Sequence, residues 1–266
     1  MHQRNPLDDI PALLTLAGRD IIMPAFVAGT GSRQKTDGSI VTETDLACQA
    51  FLKEKLKEFD ASIGFLGEEM TEETQIEQLH GQKRFWCLDP LDGTTNFETG
   101  FPAFAISLAL IENSMPVWAC IHDPVRQETF TAKSGQGATL NGAPIRAAPR
   151  RHLSKAVGCI DFKRLSPPLG RRLLKRGLYR SQRNIGTCAL EWAWLASGRV
   201  HFIIHGGEKL WDYAAGSLIA QEAGCVFSDF ARGELFPITS LSSSILGACH
   251  DQLHAHLIQE VQSAIS

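Results

Sequence analysis

Residues 86–97 read WCLDPLDGTTNF, an apolar run that ends in two aspartates, a glycine and two threonines. The apolar residues predict a buried strand over 84–88, which Pro90 and Gly93 interrupt. Two carboxylates at the end of a buried strand are costly unless a cation lies between them. Glycine permits close approach to a ligand, and N–H groups that open a helix suit an anion. The segment therefore indicates a carboxylate-held divalent cation beside an oxyanion site.

The segment also has a simpler interpretation, a loop in which Asp89 and Asp92 cap backbone N–H groups. For an isolated D-x-x-D-G pattern, that interpretation is favoured. Glu68 follows a predicted strand, where it is either a metal ligand or part of an exposed acidic turn. Asp212 is predicted at the N-cap of a helix over 211–223. It is either a cap or a ligand that completes an all-oxygen site, which favours Mg²⁺ over zinc.

Two residues flank the first polar loop of the chain. Asp45 is a candidate to orient a water, and Lys35 either neutralises charge near the site or is an ordinary surface residue. Because several acids near one phosphate would repel a dianionic substrate, metal ions must reverse the local charge before substrate binds.

The composition is that of an ordinary globular protein, with 44% hydrophobic and 21% charged residues. A net charge of −3 argues against a strong binder of nucleic acid. Basic residues do gather between Lys163 and Arg183, either as a solvated face or as a site for an anionic partner. The seven scattered cysteines predict free thiols in a reducing compartment. Without a signal-peptide pattern or an apolar run of about 18 residues, we expect a soluble cytoplasmic protein with no membrane partner.

The periodicity changes near residue 150. Residues 1–149 predict an N-terminal α+β half, with a helix over 42–59, a polar loop between Glu69 and Arg84, and an antiparallel meander. Residues 150–266 alternate strands and helices and predict an α/β half that carries Asp212 and a substrate loop. No linker is long enough to separate two independent domains, so we expect one compact structural unit.

Three motifs occur in order: GEE at residues 67–69, WCLDPLDGTTNF at 86–97, and WDYAAG at 211–216. In sequence and spacing they resemble the inositol monophosphatase family of metal-dependent phosphatases. The resemblance covers nearly the whole chain, and the two longer motifs together are highly specific. It implies a layered αβαβα sandwich, a homodimer, and two or three Mg²⁺ ions in each active site. Members are often inhibited by lithium.

The resemblance also implies a role for each motif residue. The implied metal ligands are four side chains and one backbone carbonyl: Glu68, Asp89, Leu91 (carbonyl), Asp92 and Asp212. The implied catalytic residues, which activate the attacking water or hold a further ion through water, are Thr94, Asp45 and Glu68. Gly93 and Thr94 would offer N–H groups to the phosphate.

The implied substrate-binding residues are Gly186, Thr187, Cys188 and His205. Family members that act on inositol phosphates have a glutamate seven residues before the aspartate of the third motif, where this chain has His205. Glu208 could replace that glutamate only if the loop is rearranged. His205 is either a substrate contact or a strand-end histidine. This departure puts myo-inositol specificity in doubt and leaves histidinol phosphate, a sugar phosphate or broad specificity open.

We therefore expect a Mg²⁺-dependent phosphomonoesterase that hydrolyses a small phosphorylated polyol or alcohol by direct attack of a metal-activated water. The alternatives are a histidinol-phosphate phosphatase, or an enzyme for another sugar or nucleotide phosphate. Thr95-Asn96 argues weakly against 3′-phosphoadenosine 5′-phosphate. A role of a different class is an RNA- or transcription-associated assembly factor, which only the basic segment supports. Nucleic acid is accordingly not expected as a partner.

Overall fold

Two β-sheets alternate with three layers of helices, which gives the order α, β, α, β, α. This computed structural model describes residues 6–29, 32–34 and 40–265, so Lys35 lies outside the described residues. The layered αβαβα sandwich expected from the resemblance is confirmed. The division at residue 149 stays a prediction.

The helices fall into an N-terminal outer layer, a middle layer and a C-terminal outer layer. In chain order they are α1 Ile10–Ala17, a π-helical turn Gly18–Ile22, α2 Met23–Ala28, α3 Glu43–Phe59, α4 Glu72–Gly81, α5 Thr94–Glu98, α6 Pro167–Leu173, α7 Cys188–Ala196, α8 Leu210–Glu222 and α9 Asp251–Ile265. Helices α1 to α3 form the first layer, α7 and α8 the middle layer, and α6 and α9 the last. Short 3-10 helices occur at Pro6–Asp9, Leu153–Lys155 and Phe162–Arg164.

The first large sheet has seven strands in sequence order. A two-stranded ribbon precedes it, formed by β1 Ser32–Gln34 and β2 Ile40–Thr42. The seven strands are β3 Gly64–Gly67, β4 Arg84–Asp92, β5 Ala105–Glu112, β6 Met115–Asp123, β7 Glu128–Lys133, β8 Ala138–Leu140 and β9 Ala143–Ile145. Strand β3 runs parallel to β4, and every later neighbour is antiparallel, as a meander requires.

The second large sheet has five strands in the order β11-β10-β12-β14-β13. Their bounds are β10 Val157–Asp161, β11 Ser181–Arg183, β12 Phe202–Lys209, β13 Val226–Ser228 and β14 Ser242–Ala248. Strand β10 is parallel to both β11 and β12, whereas β14 is antiparallel to β12 and β13. The sheet is therefore mixed.

Strand β4 is buried on both faces because each face supports a different core. Trp86 and Leu88 pack with helices α1 to α3, whereas Phe85 and Cys87 pack with α7 and α8. This explains its nearly continuous apolar run, which is typical of a strand covered on both sides.

Two elements differ from the sequence expectation. The polar loop expected after Glu69 contains α4, which Thr71 caps by accepting a hydrogen bond from the backbone N–H of Thr74. Only Gln75 and Leu79 of this helix are buried, so it has almost no apolar periodicity to detect. Strand β4 also continues past Pro90 to Asp92, so the expected interruption at Pro90 is wrong.

By length and hydropathy alone, the helical segment Leu7–Ala28 is able to cross a membrane. In the fold, however, Ile10, Leu14 and Ile22 are buried in the core beneath α3. Because the segment already packs its apolar side against protein, we interpret it as a core-packing helix. The seven cysteines are free, as expected.

The contact between α7 and α8 depends on the absence of a side chain at Gly216. A Cβ there would lie 2.3 Å from the Cβ of Trp192. We predict that Gly216→Ala lowers the free energy of unfolding by about 1–3 kcal/mol, because the clash outweighs the gain in helix propensity. Urea denaturation measures this change. Gly81→Ala in α4 is the matched control, since a Cβ there meets nothing within 4 Å. Equal effects of both substitutions would contradict the packing explanation.

Candidate functional site

The end of β4 places two carboxylates beside each other through a bulge. Asp89 pairs with Ser107 on β5 and Asp92 with Ala105, and the register shifts between the two pairs. Pro90 has no N–H to donate to the ladder, so the strand bulges there and does not end. The bulge brings two acids three residues apart to the same end of the sheet.

Glu68 reaches this place from the neighbouring strand. It follows β3, whose last residue Gly67 pairs in parallel with Leu88 of β4. The backbone N–H of Glu68 donates to the carbonyl of Leu88, with an N–O distance of 3.1 Å. The half-buried Glu68 therefore lies beside the residue that precedes Asp89.

Asp212 enters from the middle layer of helices. The expected N-cap position is wrong: Lys209 is the N-cap of α8 and Asp212 is the third residue of its first turn. Its Oδ2 accepts a hydrogen bond of 2.9 Å from the N–H of Lys209. The hydroxyl of Ser107 donates to the carbonyl of Trp211 at 3.0 Å, which anchors the start of α8 over β5. Because Ser107 pairs with Asp89 on the neighbouring strand, this contact brings Asp212 close to Asp89.

Asp89, Asp92 and Asp212 form a compact buried group, with one carboxylate oxygen of each within 4.8 Å of the others. Burial raises the pKa of Asp89 well above its usual range, and the neighbouring acids, Glu68 first, raise it further. Burial likewise raises the pKa of Asp212, as does the charge of Asp92. A cluster of oxygen ligands that repel one another in the absence of a cation fits a hard ion such as Mg²⁺.

The capping interpretation and the ligand interpretation are compatible in this structure. Asp89 Oδ1 accepts from the N–H of Leu91 at 2.9 Å, and Asp92 Oδ2 accepts from the N–H of Ala189 at 2.7 Å. These hydrogen bonds use one oxygen of each carboxylate. They fix the orientation of the side chains, as outer-shell contacts of metal ligands do.

Thr94 and Asp45 are also brought together. Thr94 begins α5, and its hydroxyl lies 3.2 Å from Asp45 Oδ1 and 3.1 Å from the carbonyl of Leu91. Asp45 is fixed by a capping box with Thr42 at the start of α3. Burial raises the pKa of Asp45, and hydrogen bonds from Thr42 and Thr94 oppose that rise. Gly93 caps α5 with a φ of 94°, and a Cβ there would lie 2.9 Å from the carbonyl oxygen of Ala103.

The loop of residues 184–187, which contains the predicted substrate-binding residues Gly186 and Thr187, is tied directly to the acidic cluster. Thr187 caps α7 and donates its hydroxyl hydrogen to Asp92 Oδ2. Gly186 precedes it with a φ of 77°. The amide of Asn96 donates to the carbonyls of Ala103 and Ile185 at 2.7 and 2.8 Å, so α5 holds this loop in place.

A cavity of about 850 Å³ opens over the cluster. Its lining includes nearly all the side chains predicted for the site: Glu68, Asp89, Asp92, Thr94, Thr187, Cys188, His205 and Asp212. Gly93, Gly186 and Leu91 also line it, whereas Asp45 lies buried behind Thr94. His205 therefore faces the cavity, and the nearby Glu208 is instead buried with its carboxylate accepting from the indole N–H of Trp192 at 2.8 Å.

Cys188, His205 and Glu208 form a second group with ligand atoms within 4.8 Å of one another. His205 Nδ1 accepts from the N–H of Gly207 at 3.3 Å, so we infer that Nε2 carries the ring hydrogen. That hydrogen is directed at Asp161 Oδ2, 3.0 Å away. Because the imidazole nitrogen that faces this group carries its hydrogen, we do not interpret it as a metal site.

Sequence reasoning missed three acids in the lining of this cavity: Glu72, which is exposed at the rim, Asp161 and Glu191. Glu191 Oε1 accepts from the N–H of Ile185 at 3.0 Å, so it supports the loop of residues 184–187. Burial raises the pKa of Glu191 to about 8, with Asp92 and Asp161 adding to the rise and backbone hydrogen bonds opposing it. The available signal for Asp161 was its position directly after the mostly apolar residues 156–160 and next to the basic segment.

Comparisons with known proteins agree with this geometry. The family model described as "Inositol monophosphatase family" matches residues 12–266 of this chain. Inositol monophosphatase 1 of Solanum lycopersicum is 37% identical over 228 residues, which cover 83% of each chain. Nus factor SuhB of Xylella fastidiosa is 36% identical over 203 residues, covering 74% of this chain and 71% of that protein. The solved structure of the Thermotoga maritima IMPase superposes with a TM-score of 0.85 at 29% identity and covers 97% of both chains.

We predict that Glu191→Gln reduces the pH dependence of stability. Because the pKa of Glu191 is raised in the folded state, the folded protein retains a proton that the unfolded chain releases above its ordinary pKa. Folding stability contributed by this group therefore falls as pH rises from the ordinary glutamate range to about 8. Within that pH window, the contribution of Glu191 to the free energy of unfolding should fall by roughly 1.4 kcal/mol per pH unit.

Urea denaturation of metal-free protein at several pH values tests this prediction. The variant should match the wild type at low pH and exceed it at pH 8. Glu72→Gln, at an exposed acid on the rim of the same cavity, is the control and should leave the slope unchanged. Parallel wild-type and Glu191→Gln curves would contradict the assignment.

Proposed function

The chain belongs to the inositol monophosphatase family, and on this basis we propose that it is a Mg²⁺-dependent phosphomonoesterase for a small phosphorylated polyol or alcohol. The observation that carries the proposal is the group of buried carboxylates around Asp89, which has oxygen donors in place and several like charges to neutralise. Family membership also supports a cytoplasmic homodimer, and the buried thiols are consistent with a reducing compartment.

The residues divide into two ligand sets for the ions. Glu68, Asp89 and the carbonyl of Leu91 would hold one Mg²⁺, and Asp89, Asp92 and Asp212 the second, with Glu68 reaching a third through water. When bound, the ions would lower the pKa of a water and stabilise the charge that develops on the leaving oxygen. The orientation of these side chains by backbone hydrogen bonds means that little reorganisation is needed when the ions bind.

Thr94 and Asp45 would handle the proton of the attacking water. The Thr94 hydroxyl lies within hydrogen-bond distance of Asp45 Oδ1, so its oxygen can accept a hydrogen bond from water while its own hydrogen is directed at Asp45. Burial raises the pKa of Asp45 and makes it a better proton acceptor than an exposed aspartate. Gly93 and Thr94 would direct backbone N–H groups at the phosphate oxygens. Direct attack by water requires no covalent phosphoenzyme.

We predict that Asp92→Asn reduces phosphate release at saturating Mg²⁺ by more than about a hundredfold, because loss of a direct ligand should exceed the usual effect of an outer-shell change. The amide oxygen can still accept from Thr187 and Ala189, so the fold should persist. The assay compares myo-inositol 1-phosphate, histidinol phosphate, fructose 1,6-bisphosphate and 3′-phosphoadenosine 5′-phosphate.

Asp251→Asn makes the same charge change at the exposed start of α9 and serves as the control. Its phosphate release should equal that of the wild type. Near-normal turnover by a folded Asp92→Asn protein would refute the proposed function. The four substrates also distinguish a polyol phosphatase from the alternatives that act on histidinol, sugar or nucleotide phosphates.

A second candidate function is association with RNA. Several relatives are named Nus factor SuhB, so the expectation that nucleic acid is not a partner has no support. Residues 150–183 contain eleven lysines and arginines and a single acid, Asp161, in a chain whose net charge is −3. A separate cavity of about 350 Å³ lies between this region and α9 and includes the exposed Lys175 and Arg176 in its lining, together with Glu260 of α9. Such a cluster is the electrostatic footprint expected for phosphate contacts.

If this region binds RNA, replacing both Lys175 and Arg176 by alanine should weaken binding to a labelled single-stranded RNA. The slope of log affinity against log salt should become shallower by roughly 0.7 for each lost phosphate contact. Fluorescence anisotropy measures both quantities. Asp92→Asn should bind RNA as the wild type does, since it lies outside the basic region. An unchanged salt slope in the double variant would exclude this surface.

A further inference from the structure

The side of the cavity opposite the acidic cluster contains a pair of residues from neighbouring strands. Asp161 is the last residue of β10, and it pairs in parallel register with His205 of β12. Directly paired residues on adjacent strands project to the same face of a sheet. Both side chains also line the cavity. Asp161 on β10 thus lies next to His205 on β12, the position at which the family resemblance predicts a glutamate.

The hydrogen bonds of His205 leave it little to offer a substrate. Its Nδ1 accepts from the N–H of Gly207, and its Nε2 lies 3.0 Å from Asp161 Oδ2. The His205 side chain is 5% exposed, whereas that of Asp161 is 16% exposed. Asp161 is therefore the more accessible of the two, and the imidazole acts as its support.

The charge state of Asp161 suits an acceptor of hydroxyl hydrogens. Burial acts to raise its pKa, but the hydrogen bond from His205, the N–H of Lys163 and the charge of Arg164 outweigh it and lower the pKa. Asp161 Oδ1 accepts from the N–H of Lys163 at 3.1 Å, and Arg164 Nε lies 3.9 Å from Oδ2. A carboxylate has about four acceptor positions, so these contacts leave capacity for a substrate hydroxyl.

We propose that Asp161, held in place by His205, is the carboxylate that binds a hydroxyl group of the substrate and selects phosphorylated polyols. The carboxylate for the polyol thus comes from β10, and His205 on the adjacent β12 is a positioning residue. This inference rests on the proposed phosphatase function. It implies a substrate with at least one hydroxyl beyond the phosphate ester, since an ionised carboxylate repels a second anionic group at this position.

Asp161→Asn separates hydroxyl recognition from the chemistry. If the amide oxygen keeps the contact with His205, an N–H₂ group replaces Oδ1, so the variant loses an ionised acceptor for a substrate hydroxyl and the contact with the N–H of Lys163. With myo-inositol 1-phosphate, KM should rise about ten- to hundredfold, as expected for loss of a hydrogen bond to a charged group, with a smaller change in kcat. With p-nitrophenyl phosphate, whose leaving group has no hydroxyl to bind, both KM and kcat should be unchanged.

Glu72→Gln, which also removes a carboxylate from the cavity lining, is the charge-matched control and should change neither substrate's KM. An unchanged KM for myo-inositol 1-phosphate in Asp161→Asn, or an equal rise for both substrates, would overturn the inference while leaving the phosphatase function intact. A wild-type protein that hydrolyses neither substrate would overturn the proposed function itself, and the inference with it.

An exchange variant tests whether the carboxylate can be supplied from the other strand. In the double variant Asp161→Asn, His205→Glu, an acid returns to the cavity from β12 and should bring the KM for myo-inositol 1-phosphate back toward the wild-type value. His205→Gln alone should raise KM less than Asp161→Asn, because it removes the support and keeps the carboxylate. A double variant with the KM of Asp161→Asn would contradict this exchange.

Discussion

The mutual repulsion of buried carboxylates is the constraint on which the rest of this structure depends. Asp89, Asp92 and Asp212 lie within 4.8 Å of one another, and burial raises the pKa of each. Such an arrangement costs free energy unless cations or protons neutralise it. The surrounding fold is built to keep it in place. A bulge turns β4 so that two acids share one end of the sheet, and Ser107 fixes the start of α8 above them.

The same cluster joins the first sheet to the middle layer of helices. Asp92 ends a strand of the first sheet, yet its Oδ2 accepts hydrogen bonds from Thr187 and Ala189 at the start of α7. Asn96 adds a contact to the carbonyl of Ile185 in the preceding loop. The position of Asp92 and that of the loop of residues 184–187 are therefore coupled through a few polar contacts. A cation that displaced Asp92 would also act on this loop.

Much of this site was predictable because its residues occur in local motifs. The helix over 42–59, the meander and the helix that carries Asp212 follow from apolar periodicity and turn residues, and the structure has them nearly as expected. The three motifs located the acids of the cluster. Two differences from the predicted elements have local causes. Helix α4 has too few buried residues to show an apolar periodicity. Pro90 produces a bulge in β4 and does not interrupt the strand.

The missed residues share a different cause, since contacts made only in the folded chain bring them to the site. Asp161 and His205 are 44 residues apart, and only the parallel register of β10 with β12 makes them neighbours. In the sequence, Glu191 is a polar residue of an otherwise apolar helix. In the fold, the N–H of Ile185 in the preceding loop donates a hydrogen bond to its carboxylate. Sequence motifs located the acids of the cluster, whereas the residues on the other side of the cavity depended on contacts that no motif records.

The most direct test of the central claim is calorimetric titration of metal-free protein with Mg²⁺ near neutral pH, in buffers with different ionisation enthalpies. Because the pKa values of Asp89, Asp92 and Asp212 are raised without a cation, Mg²⁺ binding should release protons and be greatly weakened by Asp89→Asn. Absence of Mg²⁺ binding, binding without proton release, or equal affinity in that variant would contradict the account.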